Sequence, residues 1–234
     1  MSLTDVTVAD GVATITLDDG KANALSPAML DAIGAALDQA EADESAGAIV
    51  LAGRPGRFSA GFDLGVLNAG GPEAERMLLG GFELAERVLG FAKPIVMACT
   101  GHAVAMGSFL LCSGDYRVGA AGDFKVQANE VAIGLTVPLP AVAILRCRLT
   151  PSAFDRAVGL AEVCAPADAV AAGWLDRVVE PDRVVSTAQE VAASFSGLDA
   201  SAHHATKLRA RAGVLAEVRA GIDAEFARAP SPRT

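Results

Sequence analysis

The chain has 234 residues, 52% of them hydrophobic, and its 28 acidic and 19 basic side chains give a formal net charge of −9. That is ample apolar material for one large core, and without clustered Lys and Arg it excludes a nucleic-acid-binding surface. Anionic ligands stay open to it, because backbone N–H groups and a few placed cations can hold a phosphate.

The opening TDVTVADGVATITLDD alternates apolar and polar residues about Asp10-Gly11, which predicts a hairpin. SPAMLDAIGAALDQAEAD predicts a helix with Ser26 as N-cap and Pro27 at its first position. GAIVLAG reads as a buried strand. RPGRFSAGFDL reads as a loop leading to a helix over 73–91. Pro94 opens the strand PIVMACT, and a glycine-containing turn feeds a short helix near Gly107–Ser113. YRVGAA is a further strand, and from Pro138 the pattern is helical, interrupted by LDRVVEP. The chain closes on a helical segment from about Ala188 and a polar tail, APSPRT. Strands alternating with helices predict an α/β fold of parallel crossover units.

No basic stretch followed by an apolar run opens the chain, and no apolar stretch reaches the roughly 20 residues of a membrane span. The four cysteines, Cys99, Cys112, Cys147 and Cys164, form no CxxC pair and read as small buried hydrophobes. A cytoplasmic protein without a metal site is expected.

Two segments share one design, a buried strand ending in a glycine-bearing loop that turns into a helix: IVLAG…RFSAGFDL and IVMACTGHAVAMGSFLL. Ligands of parallel sheets bind beyond the carboxyl ends of strands, and Ser59, Ala60 and Gly61 would let a ligand approach the backbone. Two free N–H groups meeting from separate segments would form an oxyanion hole. Such turns are common, however, and taken alone they are better explained by packing. Glu130, a single carboxylate in VQANEVAIGL, is either solvated, paired, or held with a raised pKa ready to move a proton.

Taken together, DDGKANALS, GRFSAGFDL, KPIVMACTGHAVAMG, CSGDYRV and AAGWLDRVVEP resemble the enoyl-CoA hydratase/isomerase (crotonase) family over nearly the whole chain. The resemblance implies a crotonase-like α/β spiral of strand-strand-helix turns over 1–187. A C-terminal helical segment over 188–234 would then drive assembly into a homotrimer or a hexamer of two trimers. It also implies an acyl-CoA thioester as ligand, with coenzyme A part of the substrate and no separate cofactor. The thioester oxygen would be held by the backbone N–H groups of Phe62 and Met106. Many members have Gly where Met106 stands, and the larger side chain could narrow the acyl pocket, for which Phe109 and Leu110 also suggest an apolar lining. Coenzyme A would lie against Lys21, Ala22 and the stretch Ala60, Gly61, Phe62, Asp63, Leu64, and Lys207 is a candidate for its 3′-phosphate.

Hydratases of this family use two glutamates. The position of the first is Phe109, which cannot activate water; the second matches Glu130. Six residues separate Phe124 from Glu130, and Asn129 stands where many hydratases have Pro. That spacing, the Asn129-Glu130 pair, the apolar residue at 109, the AGFDL loop and the DYR triplet at Asp115 resemble the mitochondrial 3,2-trans-enoyl-CoA isomerases. The resemblance therefore implies an isomerase with Glu130 as its sole acid–base residue. A hydratase drawing an acid from elsewhere, such as Asp63, and a non-catalytic acyl-CoA-binding protein are the alternatives. Asp63 itself reads as an N-cap, and Glu217 and Glu225 as the solvated face of a docking helix.

Overall fold

In the computed structural model, which describes residues 2–226, β1 (Thr4–Ala9) and β2 (Val12–Leu17) form the expected antiparallel hairpin. Asp10 and Gly11 both have positive φ, 50° and 77°, the primed-turn geometry whose twist suits a two-residue hairpin. Helix α1 (Pro27–Ala42) begins as predicted, the Ser26 hydroxyl accepting from the Met29 N–H at 3.2 Å. The tail at 229–234 lies outside the described residues.

From β3 (Ala48–Ala52) the chain repeats one move three times. A strand enters a large sheet, a corner turns it, and a short second strand enters a smaller sheet. The pairs are β3 with β4 (Gly56–Ser59), β5 (Ile95–Cys99) with β6 (Gly101–Val104), and β7 (Tyr116–Ala120) with β8 (Val126–Gln127). Helices α2 (Leu64–Ala69) and α3 (Gly71–Gly90) fill the first return, and α4 (Met106–Ser113) fills the second. The large sheet runs β1-β2-β3-β5-β7-β9, with β9 at Arg177–Val179, and is parallel beyond the hairpin; the small sheet runs β4-β6-β8, all parallel. This is the crotonase spiral.

The small sheet corrects two details of the sequence reading. RPGRFSAGFDL, read as a loop, contains β4, and the turn after Cys99 contains β6. Both strands are four residues long, too short for alternation to show. What makes the corner is closeness: a Cβ on Gly101 would collide with the Gly56 carbonyl and the Arg57 N–H of the neighbouring strand.

Both faces of the large sheet are covered, which is why its strands read as unbroken apolar runs. Ile49 and Leu51 face the main core with α1, α3 and α4, while Ala48, Val50 and Ala52 face the other way. That second face is closed by Val184, Ala188 and Ala192 of α8 (Val184–Phe195). The boundary expected at residue 187 therefore falls inside a helix that packs on the spiral. Helices α5 (Leu139–Arg148), α6 (Pro151–Leu160) and α7 (Pro166–Ala172) bridge the gap to β9. At the C-terminus, α9 (Ala200–Ala210) leads into α10 (Ala212–Glu225), which folds back on α3 and α5 of its own chain. No helix among the described residues is long and apolar enough to cross a membrane. Cys99, Cys112 and Cys164 are buried as expected, but Cys147 is exposed in the last turn of α5. Burial pushes the Cys99 thiol up to about 12 and that of Cys112 to about 11.

Lys207 has a structural position. Its ammonium is buried and donates to Phe91 O (2.9 Å), Lys93 O (3.2 Å) and Asp115 Oδ2 (2.7 Å). All three donors are used, so none is left for the phosphate contact suggested by the resemblance. Asp115 in turn accepts from the Ile95 N–H (2.7 Å) and pairs with Arg211 (2.9 Å), joining β5 and β7 to α9 and the start of α10. Lys207→Met leaves Asp115 only partly compensated and two carbonyls unpaired, and should cost about 3 kcal/mol in urea denaturation.

Candidate active site

The three strands of the small sheet run parallel, so their carboxyl ends lie side by side. Beyond β4 comes Ala60–Gly61–Phe62, beyond β6 comes Ala105–Met106, and beyond β8 comes Asn129–Glu130. Three distant stretches of sequence thus meet at one edge, where parallel sheets place their ligands.

The first stretch is fixed from behind by the loop 18–25. The Asp19 carboxylate accepts from the N–H groups of Lys21 (2.7 Å), Asn23 (2.9 Å) and Ala24 (3.0 Å). Burial opposes its charge, but those backbone bonds and the Arg54 cation hold the carboxyl below its usual range. Asn23, buried and at φ 51°, donates its amide to Leu17 O (2.9 Å) and Phe58 O (3.2 Å). The Ala60 N–H donates to Ala22 O (3.0 Å), and the Gly61 N–H to the Ser59 hydroxyl (3.2 Å). The two amides before Phe62 are therefore used inward. The Phe62 N–H donates to nothing among the described residues.

The second stretch abuts the first. Gly61 has φ 88°, and a Cβ there would lie 2.9 Å from both Val104 O and the Ala105 Cβ, and 3.4 Å from the Met106 nitrogen. Ala105, at φ 50° and ψ −130°, turns β6 into α4, so that the Met106 N–H opens the helix without an acceptor among the described residues. Two free backbone donors, Phe62 and Met106, thus come from touching segments, with the helix dipole adding positive potential at Met106. The Met106 side chain is fully buried against Gly81 of α3, and Leu110 is likewise core. Neither lines the cavity, so Met106 does not narrow it.

In front of these turns lies a cavity of about 500 Å³. Of the expected residues, Ala60, Phe62, Leu64, Phe109, Asn129 and Glu130 line it. Lys21 and Ala22 sit behind, in the loop bonded to Ala60 and to the Arg54 guanidinium. Asp63 caps α2, its carboxylate accepting from the Gly65 (2.7 Å) and Val66 (3.2 Å) N–H groups. Sequence reasoning missed Phe82, Glu225 and Phe226. Phe82 makes edge contact with Phe62 (6.2 Å between centroids) and stacks with Phe109 (6.2 Å) and Phe226 (5.3 Å). Nothing in the local sequence separates Phe82 from the core residues of its helix face.

Glu130 is 7% exposed, and its Oε2 has no hydrogen-bond partner among the described residues. Its backbone is firm: Ile133 N–H (3.0 Å) and Leu135 N–H (2.9 Å) both donate to its carbonyl, closing a single 3-10 turn over Val131–Ile133. Burial raises its carboxyl above the usual range. The other carboxylate on the cavity among the described residues, Glu225, is exposed and accepts from the Leu139 N–H at 3.2 Å. Among the described residues no group of three or more His, Cys, Asp or Glu is placed to hold a metal.

A family profile described as Enoyl-CoA hydratase/isomerase matches residues 7–225. The chain belongs to this family. Its fold superposes on an enoyl-CoA hydratase from Mycobacterium marinum with TM-score 0.91 and 52% identity, covering 96% of this chain and 99% of that one. An enoyl-CoA isomerase from Mycobacterium tuberculosis is equally similar, with TM-score 0.92, 52% identity and the same coverage. The human mitochondrial delta3-delta2-enoyl-CoA isomerase aligns with TM-score 0.87 and 26% identity over 94% of this chain and 91% of that one. This crotonase-family enzyme is thus similar to relatives that carry either name.

Two outcomes follow from the site itself. Glu130→Gln should raise the Tm near neutral pH, because an unpartnered buried charge is removed. A raised carboxyl pKa means that the folded state binds more protons between the unfolded and folded values, so wild-type stability falls as pH rises through that window. The advantage of the glutamine variant should therefore vanish in acid below the unfolded value. Ala105→Gly should stabilise the protein by about 1 kcal/mol in denaturant titrations, since relief of roughly 1–3 kcal/mol of backbone strain outweighs the entropy glycine adds to the unfolded chain.

Proposed function

We propose that this chain is an enoyl-CoA isomerase that moves a double bond from the 3,4 to the 2,3 position of an acyl-CoA thioester. The observation that carries this reading is Glu130, a desolvated carboxylate standing in the cavity with Phe109 where a second acid would have to be. Phe109 is 1% exposed and its ring stacks with that of Phe82, so this part of the site offers no anchor for a nucleophilic water.

The thioester oxygen accepts from the Phe62 and Met106 N–H groups. Glu130 takes a proton from C2, and the electron pair forms the C1–C2 double bond of a dienolate and moves the carbonyl electrons onto the thioester oxygen. The 3,4 double bond spreads the charge to C4, and the oxyanion donors stabilise it. The protonated Glu130 then returns the proton at C4, leaving the double bond at 2,3. One carboxylate serves both steps, and its raised pKa suits it to hold the proton between them. Coenzyme A arrives as part of the substrate, and the chemistry requires no other cofactor. Assembly into a trimer or a pair of trimers belongs to the same proposal.

A hydratase is the second reading. Two observations favour it: relatives with that name, and Glu225 on the same cavity wall. Asp63, the acid considered from sequence, is occupied as a helix cap. Turnover of a 3-enoyl-CoA in heavy-oxygen water distinguishes the two. The isomerase gives unlabelled 2-enoyl-CoA, and Glu130→Gln lowers kcat by about 10²–10⁴. Prompt labelled 3-hydroxyacyl-CoA that disappears in Glu225→Gln would establish the hydratase.

A further inference from the structure

One side chain separates two cavities. Phe226 lines the cavity of about 500 Å³ in front of Glu130, and it also lines a groove of about 560 Å³ along the outer side of α3. Consecutive residues of α3 divide in the same way: Leu78 faces the Glu130 cavity and Leu79 the groove. The two sides differ in chemistry. Around Phe226 on the inner side are Phe82, Phe109 and Leu67; on the outer side Pro72 and Leu79 stand beside the charged Glu73, Glu75 and Arg76.

Phe226 is also held in place. It follows α10, whose last residue, Glu225, accepts from the Leu139 N–H at the start of α5. Its ring stacks on Phe82 with centroids 5.3 Å apart and planes 14° from parallel. A ring fixed by an anchor on one side and a stack on the other is a wall, and beyond it the lining carries three charged side chains.

We propose that Phe226 is the chain-length determinant of this enzyme, closing the acyl pocket against the groove along α3. This rests on the acyl-CoA reading above. An acyl chain that fits inside Phe226 stays among the side chains of the inner cavity, whereas a longer one must displace the ring and enter an open groove bordered by Glu73, Glu75 and Arg76. Pockets discriminate a surplus methylene by about 10–200-fold, so a single wall suffices to set a length limit.

The test uses the full chain and saturated straight-chain acyl-CoAs from butanoyl to hexadecanoyl, titrated by calorimetry, with 3-enoyl-CoAs of the same lengths for kcat/KM. Phe226→Ala joins the two cavities and should raise the ratio of long-chain to short-chain affinity, and of kcat/KM, roughly tenfold or more. Phe226→Trp, which keeps an aromatic wall and advances it, should move the limit to shorter chains. Variants that change every length by one common factor, or leave the length profile unmoved, overturn the assignment while the acyl-CoA reading stands. Failure of the wild type to bind an acyl-CoA of any length overturns both.

Discussion

The site depends on one close approach between two pieces of backbone. Gly61 and Ala105 meet with no room for a side chain on the first, and each has a positive φ. Everything around them serves that contact. The Asp19 carboxylate and the Asn23 amide fold a loop by bonding to backbone groups, and that loop pins Ala60 and Gly61 from behind. Strand pairing of β6 with β4 and β8 sets the height of the Ala105 turn. Two N–H groups left without acceptors in a folded protein are normally costly. Here the two amides, without acceptors among the described residues, lie in touching segments beside a cavity that Phe62 and Ala105 line.

Glu130 follows the same logic with opposite sign. An unpartnered carboxyl among aromatic rings is held by backbone it cannot leave, because its own carbonyl closes the following turn. Turns beyond three neighbouring strands thus bring Phe62, Ala105 and Glu130 to the same cavity, which Phe82 and Phe109 also line.

The large sheet was legible because its signals are strong and local. β3 and β5 are apolar runs flanked by turns, Ser26-Pro27 starts a helix, and Asp10-Gly11 turns a hairpin. The small sheet was not, since β4 and β6 carry neither length nor alternation and exist because a glycine corner forces them together. In the site, Ala60, Phe62, Phe109 and Glu130 were found through motifs, which record backbone placement. Phe82 and Phe226 were invisible to that approach: they contribute only bulk, and bulk at a distance in sequence leaves no pattern. Lys207 failed for a related reason. A lysine on a charged helix reads as surface, and only the return of α9 to the β5 and β7 ends shows that it is enclosed.

Because α10 folds back on its own chain, the cavity is framed by residues as far apart as Ala60 and Phe226, about three quarters of the described length. The consequence concerns order in time. A chain emerging from the ribosome can complete both sheets and the turns at Phe62 and Met106 while the cavity still lacks one wall, and domains form progressively from the N-terminus. The wall at Phe226 is therefore the last described part of the cavity to close, and until it does the ring of Phe82 lacks that stacking partner.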